Sequence, residues 1–293
     1  MAFGETLATV TTMKARTKKR ALALLGILLL AASIAIAVVK VMFSQAPLPH
    51  FVAHAGGATP DGTILTNTQQ ALDYTYKAGH RLFEVDFSRT ADGHLVAMHD
   101  WAQAFSRLYN AVPGKTAIPT RQQFENMKTQ HGDDPLSFVE LDVWLKSHKN
   151  VRVVTDVKQD NLRSLAYIQR HATDQRQYIP QIYNSKEYEP ASEMGYEDVI
   201  FTLYRTSETN QEILEFASDH RLLALTMWPK RATKDQFAGQ AEALGIPVFV
   251  HTVNDCSHYS TLRKKGIYGV YTDLLYNSAD GQDCIMYVKE TKT

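Results

Sequence analysis

Cysteine is scarce in this chain, with only Cys256 and Cys284 among 293 residues. Two isolated cysteines lack the paired Cys and His spacing of a structural zinc site, so a zinc-finger type of protein is excluded. In an exported domain the two thiols could form a disulfide, and in a reducing compartment they would stay free. The sequence alone leaves both possibilities open.

An excess of charge of either sign is also lacking. The chain has 31 Lys and Arg residues against 31 Asp and Glu residues, which gives a formal net charge of zero. Proteins that bind nucleic acid through their surface are usually strongly basic, so we expect no nucleic-acid partner. The sequence also has no fixed-period repeat and no low-complexity tract.

The N-terminus departs from this balance. Five of the first twenty residues are basic and Glu5 alone is acidic, and the uncharged run "ALALLGILLLAASIAIAVV" follows at residues 21–39. A helix of that length spans roughly 28 Å, close to the thickness of a bilayer's hydrocarbon core. We expect a cytoplasmic basic leader (1–20), a single transmembrane anchor (21–43), a linker (44–50) and a domain (51–293) on the periplasmic or extracellular side. A cleaved signal peptide is the alternative, since small-residue sites occur at 35–37 and 44–46.

Beyond the linker, short β-rich runs alternate with helical patterns over about 240 residues. Such alternation predicts a parallel sheet covered by helices, and eight units fit a (β/α)8 TIM barrel of class α/β. A doubly wound open sheet is the rival, but no GxGxxG or Walker loop is present to support it. The predicted strands are 51–54, 82–87, 94–99, 151–155, 178–182, 199–204, 222–227, 247–252 and 268–272, and the predicted helices are 67–79, 137–148, 160–172, 208–219, 233–244 and 256–265.

Titratable residues recur where the predicted strands end, which in a barrel is the mouth of the active site. His54 and His99 end two of these strands, and the pairs Glu84/Asp86 and Asp156/Lys158 each place two side chains on one strand face. Three carboxylates suit Ca²⁺ or Mg²⁺, and two histidines can act as a general base and a general acid. Each feature alone is common on a solvated surface, but their recurrence at successive strand ends indicates an active site.

The block "HAGG…TNT…ALDYTYKAGHRLFEVDFSRTADGHLVAMHD" resembles the glycerophosphodiester phosphodiesterases, within the wider phosphatidylinositol-phospholipase-C-like superfamily. Weaker matches follow at Asp156-Val157-Lys158, at 251–254 ("HTVN") and at 269–273 ("GVYTD"). The resemblance covers residues 50 to 275. It implies a barrel in which His54 and His99 are catalytic, Glu84, Asp86 and Asp156 hold one divalent ion, and Lys158 neutralises phosphate, with His251 and Asn254 also contacting substrate.

Three positions depart from the pattern of that family. Ala55 stands where the family has an arginine after the first histidine, Asp156 where it has a glutamate, and His251 where it has a tryptophan. A methyl group cannot replace the bidentate phosphate binding of a guanidinium. Phosphate affinity must then rest on the metal, on Lys158 or on another base such as Arg89 or Arg107, or the substrate differs. These changes indicate a divergent member.

The resemblance implies a metal-dependent phosphodiester hydrolase that acts on a glycerophosphodiester-like substrate. The expected envelope location adds lipid headgroups, deacylated lipids and phosphodiester-linked surface polymers as candidates. A lyase that releases a cyclic phosphate is one alternative, because a neighbouring hydroxyl attacks efficiently within one molecule. A non-catalytic barrel that binds a glycan or lipid of the cell envelope is another, and the missing arginine favours it.

Overall fold

The computed structural model describes residues 48–112, 114–278 and 283–287. The expected leader (1–20) and anchor (21–43), with most of the linker, lie outside these residues. Within the described part, every helix is too short or too polar to cross a bilayer. The chain divides after Leu48, and the unit that begins at Pro49 is described below.

The strands and helices of this unit alternate along most of its length. The strands are β1 (Phe51–Ala53), β2 (Leu82–Arg89), β3 (Leu95–Ala97), β4 (Arg152–Val157), β5 (Tyr178–Ile182), β6 (Ile200–Thr202), β7 (Ala224–Met227), β8 (Val248–Val250), β9 (Gly269–Thr272), β10 (Leu275–Asn277) and β11 (Cys284–Met286). The helices are α1 (Gln69–Lys77), α2 (Gln103–Tyr109), α3 (Arg121–Glu125), α4 (Phe138–Ser147), α5 (Asn161–His171), α6 (Tyr188–Glu193), α7 (Asn210–Asp219), α8 (Pro229–Thr233), α9 (Phe237–Ala243) and α10 (Cys256–Arg263).

Eight parallel strands close into a barrel in the order β1-β9-β8-β7-β6-β5-β4-β2. The last pairing joins β1 back to β2 through Ala53 and Phe83. The predicted TIM barrel is therefore confirmed. The predicted strand 94–99 contains β3, which is not a barrel strand but pairs antiparallel with the end of β2.

Alternation along β2 separates the core from the active site. Phe83, Val85 and Phe87 belong to the main hydrophobic core, where Phe83 packs edge-on against Trp144 of α4 at a ring distance of 5.8 Å. Glu84 and Asp86 lie between them and face the other side of the strand, because successive side chains of a strand alternate. One strand thus contributes both to the helix-covered core and to the polar centre of the barrel.

The seam between β1 and β9 requires a glycine. A Cβ atom on Gly269 would lie 2.4 Å from the carbonyl oxygen of His50 and 2.5 Å from the ring of Phe249. Real Cβ atoms do not approach backbone so closely, so a larger residue would push the two strands apart. The short β1 can pair fully with β9 only because this position has no side chain.

One predicted helix is wrong in detail. Of the predicted helix 233–244, only Thr233 at the end of α8 and the residues of α9 are α-helical, because Asp235 and Gln236 between them have positive φ angles of 52° and 56°. After β9 the described residues form the antiparallel hairpin β10–β11. A disulfide between Cys256 and Cys284 ties this hairpin to α10 and resolves the question left open by the sequence.

Candidate active site

Three buried carboxylates form the centre of the site. Glu84 and Asp86 are two residues apart on β2, and Asp156 lies beside Asp86 because β2 and β4 pair in parallel register at these residues. One oxygen from each carboxylate lies within 4.8 Å of the others. The exposed fractions of the three residues are 1%, 2% and 7%. The sequence prediction that they converge agrees with this geometry.

Lys158 supplies positive charge to the cluster. Its ammonium group contacts the carboxylate of Asp156 and lies 3.4 Å from Oδ1 of Asp86. Burial alone would lower the pKa of Lys158, but the neighbouring carboxylates of Asp156, Asp86 and Glu84 outweigh it and raise the pKa. Lys158 is therefore a charged group at neutral pH.

Asp156 accepts hydrogen bonds from two tyrosines in addition to its contact with Lys158. The hydroxyl of Tyr183 donates to Oδ1 of Asp156, and the hydroxyl of Tyr204 donates to Oδ2 at 2.9 Å. Burial opposes ionisation of Asp156, but the charge of Lys158 and these hydrogen bonds lower its pKa. Asp156 is thus held as a carboxylate.

The loop after β1 fixes the other two acids. Asn67, with a positive φ of 51°, donates its side-chain amide to Oδ2 of Asp86 at 2.9 Å and accepts from the backbone N–H of Asp86 at 3.0 Å. The backbone N–H of Ala55 donates to Oε2 of Glu84 at 2.7 Å. Within the described residues, Oε1 of Glu84 is buried and has no hydrogen-bond partner. Burial, and then the nearby charge of Asp86, raises the pKa of Glu84.

His54 lies directly after β1 and is oriented from the last barrel strand. Its Nδ1 lies 2.8 Å from Oδ1 of Asp273, which immediately follows β9. Burial disfavours the imidazolium, but the Asp273 hydrogen bond and the charges of Glu84 and Asp86 raise the pKa of His54 to about 9. The imidazole therefore holds a proton beside the acidic cluster in the metal-free protein.

His99 differs from His54 in its surroundings. Its side chain is 50% exposed, and Nδ1 lies 2.8 Å from the carboxylate of the adjacent Asp100. The backbone N–H of the preceding residue, Met98, donates to the backbone carbonyl of Asp86 at 3.0 Å, which brings this segment alongside β2. His99 thus has a solvent-facing ring at the same end of the barrel.

His251 and Asn254 follow β8 and have distinct contacts. The ring of His251 packs against Trp228, Tyr204 and Tyr271 at centroid distances of 4.7, 5.2 and 5.8 Å. Burial lowers the pKa of His251 to about 4, so its ring is neutral. Asn254 donates to Asp273 at 2.7 Å and accepts from the backbone N–H of Asp273 at 2.8 Å. Its amide therefore holds Asp273, and a substrate contact remains a prediction.

The donor set fits a divalent ion of the hard class. Three carboxylates converge, and Oε1 of Glu84 lacks a hydrogen-bond partner in the described part of the chain. Ca²⁺ and Mg²⁺ favour such oxygen ligands, whereas zinc sites favour His and Cys. Glu84, Asp86 and Asp156 would hold the ion.

Of the bases suggested as substitutes for the absent arginine at position 55, one contacts the cluster. The guanidinium of Arg89 donates to the carbonyl of Gly93 and to Ser164. The guanidinium of Arg107 donates to the carbonyl of Leu65. Of these three bases only Lys158 contacts the acidic cluster, and its binding of phosphate stays a prediction.

Four residues of the site were absent from the predicted set. Asn67 and Asp273 lie inside sequence segments that resemble family motifs, so a signal for them existed. Tyr183 and Tyr204 follow β5 and β6 with no motif around them. Only their position could have suggested them, since Tyr183 comes directly after the predicted strand 178–182 and Tyr204 ends the predicted strand 199–204.

Comparison with known proteins agrees with this geometry. The model of the Glycerophosphoryl diester phosphodiesterase family matches residues 55–230 of the chain. No curated protein sequence matches it.

Solved structures of similar fold include several glycerophosphodiester phosphodiesterases. The enzyme from Thermotoga maritima is 18% identical with a TM-score of 0.62, and the match covers 78% of this chain and 96% of that one. A putative enzyme from Galdieria sulphuraria is 14% identical with a TM-score of 0.63 over the same shares of the two chains, 78% and 96%. An Oleispira antarctica phosphodiesterase, solved with its product sn-glycerol-3-phosphate, is 19% identical with a TM-score of 0.61 over 77% of this chain and 93% of that one. At these identities the likeness establishes the fold.

Proposed function

Because the chain belongs to the glycerophosphoryl diester phosphodiesterase family, whose members are phosphoric diester hydrolases, we propose that it cleaves a glycerophosphodiester-like substrate with one divalent ion and two histidines. The observation that carries this proposal is the convergence of Glu84, Asp86 and Asp156 at the barrel mouth, where Oε1 of Glu84 has no partner among the described residues. A non-catalytic barrel has no need of such a costly cluster of buried like charges.

Bound by these carboxylates, Ca²⁺ or Mg²⁺ would stabilise negative charge on the phosphoryl oxygens and, by neutralising Glu84 and Asp86, reduce their effect on the pKa of His54. Lys158 is placed to contribute a second positive charge to a bound phosphate. Its ammonium group lies between Asp86 and Asp156 at the mouth. The positive charge of Lys158 compensates in part for the family's arginine, which is replaced by Ala55 in this chain.

The proton transfers are assigned to His54 and His99. His54 directs Nδ1 to Asp273, so Nε2 is the atom available to remove a proton from the attacking water. As water attacks phosphorus, the bond to the leaving alcohol breaks, and His99 donates the proton that the alcohol oxygen takes up. The products are an alcohol and a phosphate monoester.

The proposed substrate is a phosphodiester of a lipid headgroup, a deacylated lipid or an envelope polymer. Support comes from the family and from the Oleispira antarctica relative, which was solved with sn-glycerol-3-phosphate as product. The wall formed by His251, Tyr204 and Trp228 adjoins Asp156 and is placed to contact the alcohol part of such a substrate.

We place the barrel outside the cytoplasm, anchored by residues 21–43. The uncharged run and its basic flank support this proposal, and the disulfide fits an oxidising compartment. Membrane fractionation and reporter fusions at Thr293 test it. Recovery of the full-length chain in the soluble cytosolic fraction would contradict it. Activity of a fused reporter that works only inside the cytoplasm would contradict it as well.

The deciding experiment is an assay of the full chain on a panel of glycerophosphodiesters, phospholipids and phosphodiester-linked polymers, with and without EDTA. We expect cleavage that EDTA abolishes and that Mg²⁺ or Ca²⁺ restores. A cyclic phosphate that accumulates and is not hydrolysed would identify the lyase instead. Binding of a panel member without cleavage, unchanged by replacing both histidines, would identify a binding module.

A further inference from the structure

Two tyrosines from consecutive barrel strands hold one carboxylate of the site. Tyr183 directly follows β5, Tyr204 follows β6, and both hydroxyls reach back to Asp156 at the end of β4. Tyr183 donates to Oδ1 and Tyr204 to Oδ2. Each oxygen of Asp156 thus accepts a hydrogen bond from a neutral hydroxyl, in addition to the contact with Lys158.

The hydroxyl of Tyr183 is itself fixed. It accepts a hydrogen bond of 2.7 Å from the backbone N–H of Val157, the residue after Asp156, and its ring is 5% exposed. The guanidinium of Arg205 covers that ring at 4.8 Å and donates to the carbonyl of Lys158 at 2.9 Å. The hydroxyl of Tyr183 is therefore tied to the backbone directly after Asp156, and its ring is covered by an arginine that is itself bound to the next residue, Lys158.

We propose that Tyr183 and Tyr204 are positioning residues that keep Asp156 aimed at a divalent ion shared with Glu84 and Asp86. This inference rests on the proposed metal-dependent function. In this role each tyrosine acts through the carboxylate of Asp156.

The physical reason is competition for Asp156. Three carboxylates within 4.8 Å repel one another, and the ammonium of Lys158 attracts Asp156 towards itself. A cationic donor that fixed Asp156 would also oppose the binding of a metal cation, whereas a neutral hydroxyl fixes it without that cost. A carboxylate offers about four lone-pair sites, so Asp156 can accept these bonds and still bind an ion.

Changing either tyrosine to phenylalanine removes the hydroxyl and keeps the ring. The ring of Tyr204 packs against His251 at 5.2 Å, and that contact survives in Tyr204→Phe. Loss of a group that orients a metal ligand lowers metal affinity by about 10-fold to 100-fold. We expect increases of this size in the Kd for Mg²⁺ and for Ca²⁺ in Tyr183→Phe and in Tyr204→Phe.

Tyr196→Phe is the matched control. Tyr196 is also 5% exposed, and its hydroxyl donates to the carbonyl of Leu165 on α5 at 2.8 Å. The control loses a buried hydroxyl of similar burial, so its stability should fall while its metal affinity stays that of the parent. Calorimetric titration of the full chain with Mg²⁺ and Ca²⁺, after removal of metal with EDTA, measures the Kd.

Thermal unfolding in EDTA separates positioning from a structural role. A selective loss of affinity in folded Tyr204→Phe and Tyr183→Phe supports the inference, and parent-like affinity in both overturns it. Tyr183→Phe leaves the N–H of Val157 without its partner, so if that variant does not fold, Tyr204→Phe decides alone. A parent chain that binds neither ion would overturn the metal-dependent function itself and this inference with it.

Discussion

His54 and Asp273 form a hydrogen bond of 2.8 Å between Nδ1 and Oδ1, although 219 residues separate them in the chain. One residue follows the first barrel strand and the other follows the last, and these strands are neighbours because the barrel closes. Asn254 holds the second oxygen of Asp273 at 2.7 Å. The orientation of the proposed base therefore depends on closure of the whole barrel.

Asp273→Asn should lower kcat by about 100-fold to 10,000-fold, the range expected when a proton-transfer group is no longer oriented. It should also change the pH dependence of stability. The folded pKa of His54, about 9, lies above its ordinary value of 6.5. The pairing thus stabilises the fold below pH 6.5, and this contribution is lost as the pH rises through 9.

Denaturant unfolding in EDTA from pH 6 to 10 checks this second effect. The parent should lose stability relative to Asp273→Asn over that interval. Asp198→Asn, which removes a carboxylate bound to Arg152 at 2.7 Å, is the control that should leave kcat unchanged. Equal pH profiles for the parent and Asp273→Asn would show that the pairing does not perturb His54.

Asp86→Asn should abolish binding of Mg²⁺ and Ca²⁺ and remove activity while the fold is retained. The change deletes one of the ligand charges, and hard cations bind neutral amides more weakly than carboxylates. Calorimetry measures the binding and near-ultraviolet circular dichroism reports the fold. Asp142→Asn is a control of comparable burial, since Asp142 is 7% exposed and accepts from Thr173 away from the site. Parent-like binding by Asp86→Asn would remove this residue from the ligand set.

Replacing either proposed proton-transfer residue should reduce turnover by roughly 100-fold to 10,000-fold. A nitrophenyl phosphodiester has an acidic leaving group that needs little protonation, so it should rescue His99→Ala much better than His54→Ala. Steady-state kinetics on this substrate and on a glycerophosphodiester give the comparison. His258→Ala, an exposed histidine on α10, should behave as the parent. Rescue of His54→Ala instead would exchange the two roles.

His80 should make the fold sensitive to mild acid. Burial lowers the pKa of His80 to about 4, and the nearby Arg81 adds to this effect, although Nε2 hydrogen-bonds to the carbonyl of Leu275 at 2.9 Å. The unfolded chain binds a proton near pH 6.5 and the folded chain does not, so stability falls as the pH drops from 6.5 towards 4. The loss attributable to His80 is about 2 kcal/mol at pH 5.

Urea unfolding at pH 7.5 and pH 5 measures this effect. In His80→Gln, whose amide can still donate to Leu275, the decrease between the two pH values should be smaller by that amount. A decrease of the same size in both proteins would show that His80 is not the responsible group.

Reducing the Cys256–Cys284 disulfide should destabilise the barrel by about 2–4 kcal/mol, since the bond closes a loop of moderate length in the unfolded chain. The structural reason is that it ties the β10–β11 hairpin to α10. Thermal unfolding with and without dithiothreitol measures the change. The double variant Cys256→Ala/Cys284→Ala should resemble the reduced parent and should not respond to the reductant. An unchanged melting temperature on reduction would contradict this expectation.

Local rules were sufficient for much of this protein. Strand–helix alternation predicted the barrel, and the two-residue spacing of Glu84 and Asp86 placed their carboxylates on one face of β2. The predicted helix 233–244 failed at Asp235 and Gln236, which adopt left-handed conformations. Neither residue type requires that conformation, so the sequence pattern did not predict the break.

The sequence alone determined the barrel class, the acidic cluster and the resemblance on which the histidines were chosen. Only the tertiary structure decided which side chains support them. The contact of Asp273 with His54 depends on barrel closure, and those of Tyr183 and Tyr204 with Asp156 depend on the neighbouring order of β4, β5 and β6. Periodicity encodes which face of a strand a residue occupies. It does not encode which distant side chain meets it there, because that depends on strand register and on the length of each side chain across the mouth.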